Sequence, residues 1–132
     1  ITLRPDVTID VVLRYLRLKG ELPENTDTLY VVNSHDNLIG TVPVTKLLTS
    51  SPDISVNEIM NEDAKTIPVN MSDSEVAGMF ERYDWLSAPV IDANKTLVGR
   101  ITIDDVVDII REDAEHSMMS MAGLDDEEDT FA

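Results

Sequence analysis

Acidic side chains at regular helical spacing are the residues of this sequence best suited to chemistry. Asp104, Asp108, Glu112 and Glu115 follow one another at intervals of four, four and three residues, which places their carboxylates along one face of a helix. Carboxylate oxygens are the ligands that a hard divalent cation such as Mg²⁺ takes. The pattern predicts a cation-responsive face, and the alternative is an ordinary solvated helix surface.

The charge balance around this stripe favours the cation-responsive interpretation. The stretch from Asp104 to Ala132 holds eleven acids and one base, Arg111, so few cations offset a repulsion of ~0.2–0.5 kcal/mol per like-charged pair. The whole chain of 132 residues carries a formal net charge of −16. A field of that sign repels nucleic acid and anionic headgroups and attracts cations, so nucleic acid is not an expected partner.

The helix that carries the stripe follows a strand, and this frame occurs twice. Aligning Gly40 with Gly99 matches Tyr30 to Leu48 with the stretch 59 residues further on, without a gap. Each copy reads strand, polar turn, strand, helix, and a helix precedes each one, at Thr8 to Leu18 and at Asp73 to Tyr83. Such repetition predicts two pseudo-symmetric β-α-β-β-α units of mixed α+β (α/β) class, packed as one globule.

Periodicity, capping and turn residues give the remaining elements. The predicted strands are Thr28 to Asn33, Leu38 to Val42, Thr66 to Val69, Ser87 to Ile91 and Thr96 to Thr102. A short helix is predicted at Val44 to Leu48 and one helical turn at Ser55 to Met60. The loop from Glu21 to Asp27 makes the first copy longer than the second. The predicted units are residues 1–52, 53–114 and a connecting segment with an acidic tail, 115–132.

Composition excludes several classes of function. Cysteine is absent, which excludes disulfides and thiolate metal sites, and His35 and His116 are too isolated in the sequence to indicate zinc. No apolar run approaches the ~20 residues of a membrane span. No nucleophile, base and orienting group form a set, so no catalysis is expected. The chain starts at Ile1 and is expected to be a piece of a longer protein.

Two motifs carry a family resemblance. The repeats, with V-N-E-I-M (Val56 to Met60) opening the second and G-R-I-T-I-D-D (Gly99 to Asp105) closing it, resemble a tandem cystathionine-β-synthase (CBS) domain pair. The second copy, from E-V-A-G-M-F-E-R-Y-D-W (Glu75 to Trp85) onward, is similar to the cytosolic region of MgtE-type magnesium transporters. The resemblance implies a homodimer at the cytoplasmic face of the membrane. It also implies an N-terminal domain and a transmembrane pore elsewhere in the parent chain.

The resemblance also implies one adenine-nucleotide site, for ATP or AMP. The implied ribose ligands are Thr102 and Asp105, and the implied apolar wall for adenine is Trp85, Ala88 and Pro89. The same Thr-x-x-Asp spacing is also a helix capping box, which is the alternative interpretation. Pro43 and Lys46 stand at the corresponding positions of the first repeat, so at most one such site is expected per chain.

In the transporter family, acidic residues hold regulatory Mg²⁺ between neighbouring domains. The matching positions here are Asp84, Asp105, Asp108 and Asp113, while His116 and Ser117 replace two further acids of the family. The implied function is a domain that gates a magnesium pore in response to intracellular Mg²⁺ and adenine nucleotide. The alternative is a generic adenylate-sensing CBS module that regulates an enzyme or another channel.

Overall fold

Two copies of one β-α-β-β-α unit make up the part of the chain that the structure, a computed structural model, describes, residues 2–112 and 114–115. The first unit contains β1 (Thr2–Leu3), α1 (Ile9–Lys19), β2 (Thr28–Val32), β3 (Leu38–Pro43) and α2 (Val44–Thr49). The second contains β4 (Ile67–Pro68), α3 (Asp73–Tyr83), β5 (Ser87–Ile91), β6 (Leu97–Thr102) and α4 (103–112). A short 3-10 helix, Val56–Glu58, lies between them. The predicted mixed fold of two repeats is confirmed.

The two sheets have the same topology and register. Each has a short parallel strand beside an antiparallel pair, in the orders β1-β2-β3 and β4-β5-β6. Gly40 lies opposite Val31, and Gly99 lies opposite Val90, which confirms the offset of 59. Helices α1 and α3 each have eleven residues, but their offset is 64. The five extra residues lie between α1 and β2, so the longer first loop is also confirmed.

The fold has two hydrophobic clusters, and the segment between the two units packs in the first of them. The first cluster contains the buried residues Leu3, Ile9, Val12, Leu29, Val31, Val42, Leu47 and Val56. The second contains Ile67, Val76, Phe80, Ala88 and Val106. Val56 is fully buried in the first cluster, although it follows the predicted boundary at residue 52. The segment that opens the second unit therefore completes the core of the first. The division into 1–52 and 53–114 stays a prediction, and Val56, from the second of these ranges, packs in the core of the first.

An approximate two-fold axis runs between the turns that join β2 to β3 and β5 to β6. The Leu38 amide donates to the Lys95 carbonyl at 2.9 Å, and the Leu97 amide donates to the Asp36 carbonyl at 2.9 Å. The offset of 59 exchanges these two hydrogen bonds. The two repeats are thus joined at one end by backbone hydrogen bonds between their equivalent turns. Within the described residues, no helix is long and apolar enough to cross a membrane.

Candidate ligand cleft and acidic face

A cleft of about 320 Å³ lies where the two sheets separate. Both repeats contribute to its walls, so a bound molecule would contact both. Its principal lining residues are Thr41 and Pro43 from β3, Ser87 and Pro89 from β5, Trp85, and Asn61, Asp63 and Lys65 from the segment that leads to β4. The cleft combines an apolar wall with hydroxyl, amide and charged groups, as small-molecule sites do.

The end of α3 fixes the position of Trp85. Asp84 adopts a left-handed conformation, φ 52°, as the C-cap of α3, and the chain reverses there so that the indole folds back on the helix. Its ring stacks on Tyr83, with centroids 5.1 Å apart, and meets Phe80 edge-on at 5.5 Å. Aromatic contacts of this kind hold a ring in one orientation. Trp85 therefore offers a fixed flat surface at the mouth of the cleft.

The structure divides the predicted adenine wall between two environments. Trp85 and Pro89 line the cleft. Ala88 is only 1% exposed and belongs to the second hydrophobic cluster, because successive side chains of a strand point to opposite faces. Of the three residues, two therefore present side chains to the cleft.

Thr102 and Asp105 form a reciprocal cap at the start of α4. The Thr102 amide and hydroxyl donate to Asp105 Oδ2 at 2.9 and 3.1 Å, and the Asp105 amide donates to Thr102 Oγ1 at 3.4 Å. This is capping-box geometry, with each side chain satisfying the other's backbone amide. Neither residue lines the cleft beside Trp85, but Thr102 lies directly opposite Ser87, which does. The two halves of the predicted nucleotide site are therefore one strand apart.

Arg100 was not among the residues predicted from the sequence, yet it fastens the first repeat to the second. Its guanidinium donates to the Glu24 and Asn25 carbonyls at 2.8 and 3.2 Å and to Thr26 Oγ1 at 3.3 Å. Asn25 also donates to Asp104 Oδ2 at 3.0 Å. The loop that lengthens the first repeat is thereby held against β6 and α4. The available signal was that Arg100 is the only base between Lys95 and Arg111.

A buried polar contact joins the two sheets beside the cleft. The Tyr30 hydroxyl and Ser87 Oγ lie 3.0 Å apart, and both side chains are buried. Burial raises the pKa of Tyr30, and the hydrogen bond to Ser87 and the charge of Arg100 only partly oppose that shift. The phenol therefore stays protonated around neutral pH, and this hydrogen bond stabilises the contact between the two repeats.

Among the acids that the resemblance assigns to Mg²⁺, those that the structure describes are exposed and form no salt bridge with another described residue. Asp84, Asp105 and Asp108 are all exposed, and Asp113 lies outside the described residues. The salt bridges found among the described residues join Arg4 to Asp36 and Arg14 to Asp10, so these three acids take part in none. In the same part of the chain, no group of three or more histidine or acidic residues could hold a metal ion. Their carboxylates fit Mg²⁺ in chemistry, but a cation bound here would need ligands from a second surface.

Comparison with known proteins supports this fold. Residues 56–112 match the CBS domain family. The structure superposes on the cytosolic domain of the Mg²⁺ channel MgtE in complex with ATP, with a TM-score of 0.77, 33% identity, and coverage of 83% of this chain and 44% of that one. It also superposes on the cystathionine β-synthase pair domain of a Shewanella oneidensis protein, with a TM-score of 0.79, 24% identity, and coverage of 86% and 66%. Residues 56–112 are therefore a CBS domain, and the two repeats together have the fold of a tandem CBS pair.

Curated relatives of this CBS pair are magnesium transporters. The magnesium transporter MgtE of Bacillus subtilis is 34% identical over 119 residues, which cover 89% of this chain and 26% of that protein. The chain spans 26–28% of the length of the curated relatives it matches. The resemblance to MgtE-type transporters inferred from the sequence is thus confirmed for the part of those proteins that this CBS pair matches.

Proposed function

We propose that this CBS pair is a Mg²⁺-sensing regulatory domain of a magnesium transporter or channel and has no catalytic role of its own. The observation that carries the proposal is that Asp84, Asp105 and Asp108 are exposed and that, within the described part of the chain, none of them forms a salt bridge. The relatives named magnesium transporters supply the context. The transporter pore and a further N-terminal domain of the parent chain are parts of the same proposal.

The proposed mechanism is electrostatic. Mg²⁺ keeps several of its waters and binds through one or two carboxylates, so it suits acids on two facing surfaces. Two unit charges ~7 Å apart at an effective dielectric of ~20 repel by ~2 kcal/mol. Bound Mg²⁺ removes this repulsion and holds the domain compact against its neighbour, and loss of Mg²⁺ restores it. A few such pairs are enough to shift a two-state equilibrium at the cytoplasmic face of a membrane.

We also propose that the facing surface belongs in part to a second copy of the chain. Helices α3 and α4 leave a groove of about 700 Å³ between them, lined by apolar residues such as Ala77, Phe80 and Ile103 and by Asp84. On α4, Ile110 is 52% exposed. A closed two-fold dimer through this groove would bury its apolar lining and bring two acidic faces together. Sedimentation in Mg²⁺ buffer should give a dimer, and a monomer at tens of micromolar would contradict the proposed assembly.

Thermal unfolding tests the magnesium proposal. Stability should rise with millimolar MgCl₂ more than with NaCl at matched ionic strength, because a ligand that binds the folded state stabilises it. Changing Asp84, Asp108 and Asp113 together to Asn should raise stability without Mg²⁺ and reduce the response to it.

The matched control removes the same formal charge elsewhere. The control changes three exposed acids outside α3 and α4, as Asp6→Asn, Glu21→Gln and Glu62→Gln. It lowers the net negative charge by the same amount as the first triple variant. This variant should respond to Mg²⁺ as the parent does. If both triple variants lose the response to the same extent, or if NaCl reproduces it, the acids are a solvated surface and the sensor proposal is wrong.

A second candidate function is adenine-nucleotide binding in the cleft. It is favoured by the fixed indole of Trp85 beside Pro89 and by the ATP complex of the related MgtE domain. We propose that the base stacks on Trp85 and that Thr102 and Asp105 are the ribose partners, which requires their mutual hydrogen bond to open. Binding of ATP or AMP should quench the fluorescence of Trp85, the only tryptophan in the chain.

Two variants separate the parts of this site in calorimetry. Trp85→Leu should weaken ATP binding about tenfold or more, the usual loss when a base loses its aromatic platform. Asp105→Ala should weaken it as well if the ribose assignment holds, and unchanged affinity would limit the site to the cleft itself. Two equal sites per chain would contradict the assignment of one site. If nucleotide binds while Mg²⁺ has no specific effect, the chain is instead an adenylate-sensing module.

A further inference from the structure

Two glycines at equivalent positions of the repeats have different surroundings. A Cβ atom at Gly40 would lie 2.8 Å from Met60 Sδ and 2.9 Å from its Cγ, whereas a Cβ at Gly99 would meet no described residue within 4 Å. Both glycines occupy the same register of an edge strand. Among the described residues, β6 therefore lacks the cover that β3 has in the first repeat.

The covering segment in the first repeat is residues 59–61. The Thr41 amide donates to the Asn61 carbonyl at 3.0 Å, and the Asn61 amide donates to the Thr41 carbonyl at 2.8 Å. This antiparallel bridge lays Met60 across Gly40, where its side chain packs against the first hydrophobic cluster. The chain that leaves the turn at Ile59 thus pairs with the edge of β3 through Asn61 and closes one end of the core.

The edge of β6 presents the same groups, and no segment within residues 2–112 covers them. Arg100 lies opposite Pro89 as Thr41 lies opposite Tyr30, so the backbone N–H and C=O of Arg100 also point away from the sheet. Among the described residues, no loop or turn backbone group bonds to them. Val98 is 53% exposed beside them, and a groove of about 340 Å³ runs along Val98, Gly99 and Arg100. An open edge of this kind is a template for strand addition.

We propose that the β6 edge is a docking site for an extended polypeptide segment that runs antiparallel to β6. The segment places a long, unbranched apolar side chain on Gly99 and pairs the backbone of its next residue with Arg100, in the way that Met60 and Asn61 cover β3. Backbone pairing supplies binding strength and the pocket at Gly99 selects the side chain, as in other cases of strand addition. The residue after the apolar one cannot be proline, because its N–H is needed.

The charge of the chain adds a second requirement. At a net charge of −16, the domain repels acidic peptides at low salt. The preferred segment is therefore neutral or basic around its apolar residue. The acids that flank Met60 in this chain, Glu58, Glu62 and Asp63, are tolerated there because the segment is covalently tethered, but they would weaken binding of the same sequence supplied as a free peptide.

A peptide titration tests the proposal. The probe is a blocked peptide with the sequence of residues 57–64, in which the acids are replaced by the corresponding amides, added to isotopically labelled protein and followed by NMR. Amide shifts should be confined to residues 97–101 and to Thr2, which lines the same groove. Replacing the peptide methionine by glycine should abolish them. N-methylation of the peptide asparagine, which removes its donor to Arg100, should weaken binding about three- to tenfold, the effect of one hydrogen bond.

The blocking variant is Gly99→Val. The open space at Gly99 accommodates the new side chain, and a β-branched residue suits a strand, so this variant should fold and lose the peptide response. Absence of shifts at residues 97–101 at millimolar peptide would overturn the proposal, as would equal shifts in Gly99→Val. Shifts that follow protein concentration without peptide would identify a second copy of the chain as the occupant and would also overturn it.

Discussion

Replacing Gly40 by Ala should test directly how tightly the linking segment packs on the first repeat. The new methyl group would lie 2.8, 2.9 and 3.1 Å from Sδ, Cγ and Cβ of Met60, closer than carbon and sulfur atoms normally approach. Cβ belongs to the fixed part of the side chain, so rotation of the thioether alone cannot remove the contact. Met60 has to shift with its backbone, and that backbone is held by the Asn61 bridge to Thr41.

Two opposing effects set the size of the change. Overpacking of this kind costs about 1–3 kcal/mol. Replacing glycine by alanine also restricts the unfolded chain, which stabilises by about 0.4–1 kcal/mol where the native conformation is compatible. Gly40 has no positive φ, so both terms apply, and the free energy of unfolding should fall by up to about 2.5 kcal/mol. At Gly99 only the second term applies, because no described residue lies within 4 Å.

The assay is chemical denaturation of Gly40→Ala and Gly99→Ala side by side. The first should lose stability and the second should gain about 0.4–1 kcal/mol, a difference of about 1–3 kcal/mol between equivalent positions. A further variant, Gly40→Ala with Met60→Ala, should lose less than the sum of the two single changes, since removing the thioether relieves the contact. If the two glycine variants change stability by the same amount, the packing of Met60 on Gly40 is not tight and the reasoning is refuted.

Three further changes test contacts around the cleft. Arg100→Met should free the loop 20–27 from β6, with faster hydrogen exchange there and a loss of about 1 kcal/mol; unchanged exchange would contradict the fastening role. Tyr30→Phe should remove a loss of folding stability at alkaline pH. Burial raises the pKa of Tyr30, so the stabilisation that the neutral phenol gives is complete below the unfolded pKa and is lost as pH rises through the folded pKa. Equal stability profiles for parent and variant above pH ~10 would contradict this. Asp105→Ala should lower the melting temperature through loss of the α4 cap, a cost of about 0.5–2 kcal/mol, and Asp105→Asn should restore part of it; no loss in the alanine variant would contradict the cap.

Local signals predicted most of the elements. The capping box at Ser72 and Glu75 predicted α3 with its observed bounds, Asp73–Tyr83, and the Ser72 side chain accepts the Glu75 amide. The strand Ser87–Ile91 was also predicted with its observed bounds. The two-residue strand β1 was not predicted, because it forms only by pairing with Tyr30 and Val31, far along the chain. A strand that short has no periodicity of its own.

The sequence predicted the cleft only in part, for the same physical reason. Trp85 and Pro89 were identified together, and both line it. Thr41, Asn61 and Lys65 were not identified, although they line the same cleft. These residues come from β3 and from the link to β4, and they meet the Trp85 side of the cleft only through the packing of one repeat on the other. Spacing along the chain carries no information about such contacts.

The position of Trp85 suggests how two ligands could act on each other in the proposed function. Its indole lines the cleft on one side and the groove between α3 and α4 on the other, where Asp84 also lies. A nucleotide that stacks on the indole would therefore contact a side chain that also borders the surface on which the acidic faces meet. Coupling between two binding sites is reciprocal. In the proposed function, the factor by which nucleotide strengthens Mg²⁺ binding at these faces therefore equals the factor by which Mg²⁺ strengthens nucleotide binding. The two repeats have the same backbone fold, but only the second has an aromatic ring between the cleft and the groove. In the first repeat, Thr26 occupies the position equivalent to Trp85.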